Sequence, residues 1–340
     1  MNAASPPVAL VLGANGRFGC AAAQAFAVAG WTVLAQVRGQ PSPLLPAAAV
    51  VLRAALDDTA AVVAAADIHR IHVIVHAINP RYTRWEDEAL PALEAGLALA
   101  RRSGALFMLP GNVYNFGETM PAFLDEAVPQ RPTTRKGEIR RRMEARIAER
   151  AKSEGFPACV IRAGDFFGAG RGNWFDAAIV KSLRAGKLVY PGPLDRPHAW
   201  AYLPDLARAF VKVAGQARHP SFATWHFEGH TLTGAALLDA VEAVAAQMGL
   251  APHSGFRRGG MPWTLIGAVG LVVPLWRELA RMSYLWRVPH ALDGRPLEAL
   301  SGPALVATPL SIALRRSLGA LGYVARPAAG ACHPTRLAGE

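Results

Sequence analysis

The feature that most constrains this chain is the glycine-rich stretch GANGRFG at residues 13–19. It follows the apolar run VALVL (8–12), which is typical of a buried strand, and it opens an alanine-rich stretch typical of a helix. Glycines at such a junction permit a tight turn and let the backbone approach a pyrophosphate, whose charge the helix N-terminus stabilises. The alternative is a simple tight turn. We interpret the stretch as a dinucleotide-binding loop. The residues that we expect to contact the dinucleotide are Gly13, Asn15, Gly16, Arg17, Phe18 and Gly19.

Strands and helices alternate from residue 8 to residue 164. Apolar runs predict further strands at 31–37, 49–54, 72–77, 105–111 and 157–164, and helices at about 17–30, 58–66, 86–104 and 135–154. This order predicts an α/β fold, a Rossmann-type doubly wound parallel sheet with helices on both faces. We assign residues 1–170 to an NAD(P)-binding domain, to which later segments return at about 200–228. Residues 171–340 are mainly a smaller C-terminal substrate-binding region.

The end of the second predicted strand indicates which dinucleotide binds. An NAD site usually carries an acidic residue there to hold the ribose 2′-hydroxyl, but no acidic residue precedes Asp57. Arg38 stands at this position, and Arg17 projects from the glycine-rich loop. Because guanidinium groups bind phosphate through paired, charge-assisted hydrogen bonds, we expect NADP, with NAD as the alternative. A merely solvated Arg38 is the other interpretation.

Composition narrows the class of protein. The chain is 52% hydrophobic and 18% charged, which indicates a compact globular protein. Its net charge is +11, but only five of the 36 basic residues are lysine. Such a bias is typical of a general compositional habit, and we expect no nucleic-acid partner. The three cysteines lack metal or disulfide spacing, and the N-terminus lacks the pattern of a signal peptide. We therefore expect a cytoplasmic monomer or homodimer that binds a small-molecule substrate and no metal.

One uncharged stretch, PWTLIGAVGLVVPLW at residues 262–276, bears on membrane contact. As a helix it would span about 22 Å, short of the roughly 30 Å hydrocarbon core of a bilayer. We expect a buried helical segment or the wall of an apolar pocket. The alternative is contact with a membrane surface, since arginines flank the stretch and Trp263 and Trp276 lie near its ends.

Several segments resemble the short-chain dehydrogenase/reductase superfamily, most closely its extended epimerase/dehydratase-like branch or its atypical relatives. The segments are GANGRFG, VIVHAIN (73–79), MLPGNVYNFG (108–117), VIRAGDFFGAG (160–170) and WAYLPDLARAF (200–210). The resemblance covers roughly residues 8–215. It implies an NAD(P)-binding Rossmann fold in which the fourth strand ends beside the cofactor, at Ala77.

The resemblance also implies a Ser or Thr near the end of strand five and a Tyr-x-x-x-Lys motif at the start of the following helix. In that motif the lysine lowers the pKa of the tyrosine, which exchanges a proton with the substrate oxygen. Here Pro110 stands at the Ser position, Lys136 at the Tyr and Arg140 at the Lys. The basic run 131–146 is most simply the helix that has lost this motif. Its alternatives are a solvated face or a role for Lys136 or Arg140 beside the cofactor.

Replacement residues must then supply any acid–base chemistry. We predict Tyr114, on the loop after strand five, and Lys136, because burial can lower the pKa of a lysine into a useful range. A structural role is the alternative for Tyr114. The predicted substrate-binding residues follow the predicted strands or lie in the later aromatic segment: Asn79, Tyr82, Asn112, Trp174, His198 and Tyr202.

Two functions remain open at this point. One is an NAD(P)-dependent oxidoreductase or epimerase/dehydratase-like enzyme, acting on a small carbonyl or hydroxyl substrate of apolar or aromatic character. The other is a non-catalytic NADP(H)-binding redox sensor or assembly factor, which the loss of the usual residues also predicts. Both need the cofactor residues, so turnover is the property that distinguishes them.

Overall fold

A computed structural model describes residues 5–55, 62, 64, 70–302 and 307–324. The strands are β1 (Val8–Leu12), β2 (Thr32–Val37), β3 (Val50–Arg53), β4 (Ile71–His76), β5 (Leu106–Gly111), β6 (Phe123–Leu124), β7 (Ala158–Ala163), β8 (Asp165–Phe167), β9 (Lys187–Tyr190), β10 (Pro197–Tyr202), β11 (Phe222–Phe227), β12 (His230–Thr233), β13 (Arg257–Gly260) and β14 (Ala291–Leu292). Seven of them form one parallel sheet in the order β11-β7-β5-β4-β1-β2-β3.

Capping residues mark the ends of some of the nine helices found in the described residues. The helices are α1 (Arg17–Val28), α2 (Trp85–Ser103), α3 (Arg135–Glu154), α4 (Leu203–Ala214), α5 (Gly234–Gln247), α6 (Trp263–Val269), α7 (Pro274–Met282), α8 (Arg295–Ser301) and α9 (Leu310–Ala320). The hydroxyl of Thr134 accepts a hydrogen bond from the N–H of Gly137 and caps α3. Left-handed glycines end α2 and α3 at Gly104 and Gly155. The helix predicted at 58–66 falls largely outside the described residues.

Each face of the sheet has its own hydrophobic core. On one face, Val11 packs in a cluster with Phe18 of α1 and Phe210 of α4. On the other face, Leu10 belongs to a cluster with Leu97 of α2 and Ile147 of α3. Consecutive strand residues point to opposite faces, so the continuous apolar run of β1 fits a sheet covered on both sides. The predicted doubly wound α/β fold is confirmed.

The second half of the chain both completes this sheet and builds a separate layer. Helix α4 packs against α1, and β11 pairs with β7 at the sheet edge. A second sheet has the order β12-β10-β8, and β8 begins just after β7 ends. Its aromatic side chains, with helices α5 and α9, form a third core around Trp200 and Tyr190.

The uncharged stretch 262–276 folds as parts of two short helices, α6 and α7, which form a hairpin. The expectation of a buried helix is wrong for most of it, because only Ile266 and Gly270 are buried within the stretch. Each helix has only two turns or so, and the pair buries little beyond its mutual contact. None of the helices in the described parts of the chain is long and apolar enough to span a bilayer.

Candidate active site

A cleft of about 1540 Å³ opens at the carboxyl ends of the parallel strands. The strand order reverses between β1 and β4, and ligands of open α/β sheets bind at such a switch point. The glycine-rich loop, the ends of β2, β4 and β5, and part of the α6–α7 hairpin line this cleft. One continuous space therefore extends from the glycine-rich loop to the hairpin.

The glycine-rich loop has the geometry of a phosphate cradle. Gly13 adopts a φ of +75°, which favours glycine, and its N–H donates to Oε1 of Gln36 at 2.9 Å. A Cβ atom at Gly19 would lie 2.3 Å from the carbonyl oxygen of Gly13, so only glycine lets α1 pack this closely. Within the described residues no side chain caps the N-terminus of α1, so its first N–H groups can bind an anionic ligand.

The predicted cofactor residues mostly line the cleft. The lining members are Gly13, Asn15, Gly16, Arg17, Phe18, Arg38, Ala77 and Arg140. Gly19 lies beneath the loop and serves close packing. The sequence interpretation overlooked Gln36, a buried amide that fixes the loop and also donates to the carbonyl oxygen of Ala54 at 2.6 Å. A lone polar residue inside an apolar strand was the available signal.

The two predicted phosphate ligands differ in their surroundings. Arg38 is exposed at the end of β2 and has no hydrogen-bond or ion-pair partner in the parts of the chain that are described. Arg17 instead donates to the carbonyl oxygens of Gly172 and Arg171, the latter at 3.4 Å, and burial lowers its pKa. Arg17 therefore ties the loop to the opposite wall, whereas Arg38 is available to a ligand.

Lys136 occupies the position predicted from the resemblance, but its side chain does not line the cleft. It is 4% exposed, forms an ion pair with Glu278 of α7, and its ammonium lies 4.2 Å from the ring centroid of Tyr82. A Cβ atom at Gly137 would lie 2.3 Å from the carbonyl oxygen of Tyr114, so the start of α3 is held tightly against the loop after β5. Lys136, which we predicted as a replacement acid–base residue, thus lies behind Tyr82 and outside the residues that line the cleft.

Arg140 and Pro110, at the other two substituted positions, contact each other. The guanidinium of Arg140 donates to the carbonyl oxygen of Pro110 at 3.3 Å and lies 4.8 Å from the ring of Trp85. Both residues line the cleft. Burial lowers the pKa of Arg140, although nearby Tyr114 and Glu144 oppose that shift. Neither residue offers the hydroxyl or ammonium of the usual motif.

Tyr114 and Tyr82 carry two phenol groups that are buried at the cleft. Both residues line the cleft. Burial raises the pKa of each phenol well above its ordinary value, and the charge of Asp165 raises it further. The pKa of Tyr114 is lowered in part by Arg140, but burial outweighs that contribution. Both side chains are therefore neutral proton donors near pH 7.

Asp165, at the start of β8, is a cleft carboxylate that sequence reasoning missed. Its Oδ2 lies 2.9 Å from Nε2 of His198. His198 is buried in β10 and stacks on Trp286, with ring centroids 4.4 Å apart. His198 thus fixes a cleft residue from behind. The only sequence signal for Asp165 was its place directly after a buried strand.

Four of the six predicted substrate-binding residues line the cleft: Asn79, Tyr82, Asn112 and Trp174. The other two, His198 and Tyr202, do not line it. Both belong to β10, whose side chains are covered by the aromatic layer of the second half; Tyr202 packs 5.3 Å from the ring of Phe167. For residues 262–276 we also expected the wall of an apolar pocket. Pro262 and Leu275 of this stretch do line the cleft.

Known proteins share this architecture. A model of the NAD dependent epimerase/dehydratase family matches residues 9–223. The fold is similar to UDP-glucose 4-epimerase from Thermotoga maritima, with 13% identity, a TM-score of 0.71 and coverage of 93% of this chain and 98% of that chain. No curated protein matches by sequence.

Two further solved structures have the same fold. A GalE-like L-threonine dehydrogenase from Cupriavidus necator is 18% identical, with a TM-score of 0.71 and coverage of 93% and 100%. The enzyme WbmH from Bordetella bronchiseptica, in complex with NAD+, is 14% identical, with a TM-score of 0.69 and coverage of 94% and 99%. At these identities the likeness concerns the fold.

Proposed function

The chain belongs to the NAD dependent epimerase/dehydratase family, and from this membership we propose that it is an NADP(H)-dependent oxidoreductase that reduces a small carbonyl substrate. The observation that carries the proposal is the pair of neutral phenols, Tyr114 and Tyr82, in the same cleft as the glycine-rich loop and the unpaired Arg38. The cleft thereby combines a dinucleotide cradle with a proton source.

The residues of this chain fit NADP. The glycine-rich loop and the uncapped start of α1 would hold the diphosphate. Arg38 would hold the 2′-phosphate, because a free guanidinium at the end of β2 suits phosphate and a carboxylate is missing there. The Bordetella enzyme of the same fold binds NAD+, so the choice of the phosphorylated cofactor rests on Arg38.

When bound, NADPH supplies a hydride to the carbonyl carbon, and the resulting alkoxide oxygen must gain a proton. The phenol of Tyr114 would donate that proton, with Tyr82 as a second hydrogen-bond donor to the oxygen. An alkoxide is a much stronger base than a phenolate, so donation is favourable even though burial raises the pKa of Tyr114. The reverse reaction needs a phenolate, which burial and Asp165 disfavour. The free protein therefore holds the protonated phenol that reduction requires.

The cofactor part is tested by titrating NADPH and NADH against tryptophan fluorescence. We expect Arg38→Ala to raise the Kd for NADPH about tenfold or more while leaving that for NADH unchanged, since one charge-assisted phosphate contact is lost. Arg53→Ala is the matched control, because Arg53 is an exposed arginine on the next strand that does not line the cleft. Tighter binding of NADH by the unmodified protein would contradict the proposal.

One observation favours a non-catalytic NADP(H) sensor as the second candidate. All three positions of the usual acid–base set are substituted, and the ammonium of Lys136 is engaged by Glu278 behind the cleft wall. A sensor would bind NADPH as tightly as an enzyme and leave it unoxidised with every carbonyl substrate. Turnover decides between the two.

A further inference from the structure

The hairpin of α6 and α7 has an exposed apolar tip. Leu271 and Val272, at its turn, are each 81% exposed, and Leu265 is 56% exposed. All seven residues from 271 to 277 are exposed. Exposed apolar side chains are normally scattered singly, and a contiguous group marks an interaction surface. We call residues 265 and 271–276 the hairpin tip.

The tip is held in shape by its backbone. The N–H of Gly270 donates to the carbonyl oxygen of Ile266 at 2.8 Å, and that of Arg277 donates to Val273 at 3.1 Å. A Cβ atom at Gly270 would lie 2.9 Å from the backbone of Arg277, so the helices approach closely at this point. The apolar side chains of the tip are thus carried on a turn that backbone hydrogen bonds hold in place.

The charge around the tip is mainly positive. Residues 253–287 contain five arginines and one acidic residue. The arginines are all exposed: Arg257, Arg258, Arg277, Arg281 and Arg287. Glu278 is paired with Lys136 and Arg281, and Arg258 is paired with Asp239 and Glu242. Among the described residues this leaves Arg257, Arg277 and Arg287 without an acidic partner. An apolar face with tryptophan and flanking arginines is the combination that binds the interface of an anionic bilayer.

We propose that the hairpin tip docks on a membrane surface that contains anionic lipid. Leu271 and Val272 enter the acyl boundary, and the flanking arginines lie among the headgroups. A second copy of this chain is a poorer occupant, because two tips with the same positive surround would repel each other across a two-fold axis. The tip inserts and does not span, in keeping with its short helices.

Docking would bring the cleft to the bilayer. Leu275 is exposed on the tip and also lines the cleft, together with Leu279 of the same helix and with Met261 and Pro262 at the start of the hairpin. A carbonyl substrate with an apolar chain would then pass from the lipid along this wall. This substrate class rests on the proposed reductase function, whereas docking itself does not.

Vesicle co-sedimentation tests docking, with phosphatidylcholine vesicles and with vesicles that also contain phosphatidylglycerol. We expect the unmodified protein to bind the anionic vesicles. The double variant Leu271→Ser, Val272→Ser should bind them about tenfold more weakly or less still, because it loses two apolar side chains. Val28→Ser is the control, since Val28 is 90% exposed at the C-terminus of α1 and does not line the cleft. All three changes are at exposed positions, and thermal unfolding checks that the fold persists.

The charge contribution has its own pair of variants. Arg277→Gln should weaken binding to anionic vesicles about fivefold, roughly the effect of one basic residue near the surface, while the exposed Arg218→Gln should not. Docking is overturned if the protein binds neither kind of vesicle, or if the double variant binds as tightly as the unmodified protein. It is also overturned if the unmodified protein is a dimer through the tip and the double variant is a monomer.

The substrate class is tested separately, by NADPH oxidation with a long-chain aldehyde carried in the vesicles and with a short-chain aldehyde in solution. A preference for the long chain that the double variant loses supports it, and equal rates overturn it. Vesicle binding without oxidation of either aldehyde would contradict the reductase and leave docking established. Oxidation of NADPH without vesicle binding would support the reductase and contradict docking.

Discussion

Lys136 and Glu278, 142 positions apart in the sequence, form a buried ion pair that joins the start of α3 to the hairpin helix α7. Lys136 stands where the family resemblance expects the catalytic tyrosine, and its ammonium also lies over the ring of Tyr82. The pair therefore connects three parts of the molecule: the substituted motif, the cleft wall and the hairpin.

The ion pair should contribute measurably to stability. Glu278→Gln leaves the buried ammonium of Lys136 uncompensated, and we expect the free energy of unfolding to fall by about 2–4 kcal/mol, discounted because Glu278 is 17% exposed. Glu138→Gln is the control, because its ion pair with Arg141 lies at the surface and should change stability by less than about 1 kcal/mol. Denaturant unfolding measures both, and equal small losses would refute the role given to the pair.

Stability should decrease in mild acid because three histidines are buried in their neutral form. Burial lowers the pKa of His76 and His290 to about 3 and that of His226 to about 4. Unfolded histidine titrates near pH 6.5, so below that pH the unfolded chain binds protons that the native chain does not. Stability is then complete above about pH 6.5 and falls toward about pH 4, by up to about 4 kcal/mol per pH unit for three protons. His76→Leu should lower the slope of the free energy of unfolding against pH by one third of that amount, since one of the three protons is lost. Urea unfolding at several pH values measures this slope, and an unchanged slope would contradict the role given to His76.

Close packing at the start of α3 should make Gly137 intolerant of a side chain. Gly137→Ala would place a methyl group against the carbonyl oxygen of Tyr114, and we expect a loss of about 1–3 kcal/mol. Gly319→Ala in α9 is the matched control, because nothing lies within 4 Å of its Cβ position and alanine favours helix by up to about 1 kcal/mol. The two variants should move the Tm in opposite directions, and a shared direction would contradict the packing.

The fold was predictable because its determinants are local in the sequence. The GANGRFG junction and the apolar runs of β1 and β4 depend on neighbouring residues, as does the glycine that ends α2. The assignment of Pro110, Lys136 and Arg140 to the motif positions follows from the family resemblance, whose motifs are also local in the sequence.

The chemistry of the site was less predictable because its partners are distant. No local pattern indicated that Lys136 would meet Glu278, or that His198 would turn to Asp165 and away from the cleft. The apolar composition of 262–276 indicated burial, but a two-helix hairpin has too little neighbouring structure to bury it. Tertiary contacts decided each of these outcomes.

The proposed reduction is tested most directly by following the nicotinamide absorbance while the protein is incubated with NADPH and a panel of aldehydes and ketones. We predict that the unmodified protein oxidises NADPH with at least one of them. Tyr114→Phe should retain its affinity for NADPH and lose about 100-fold or more in rate, whereas Tyr202→Phe, buried outside the cleft, should not. Tight NADPH binding without oxidation across the panel, or an unchanged rate in Tyr114→Phe, would contradict the proposal.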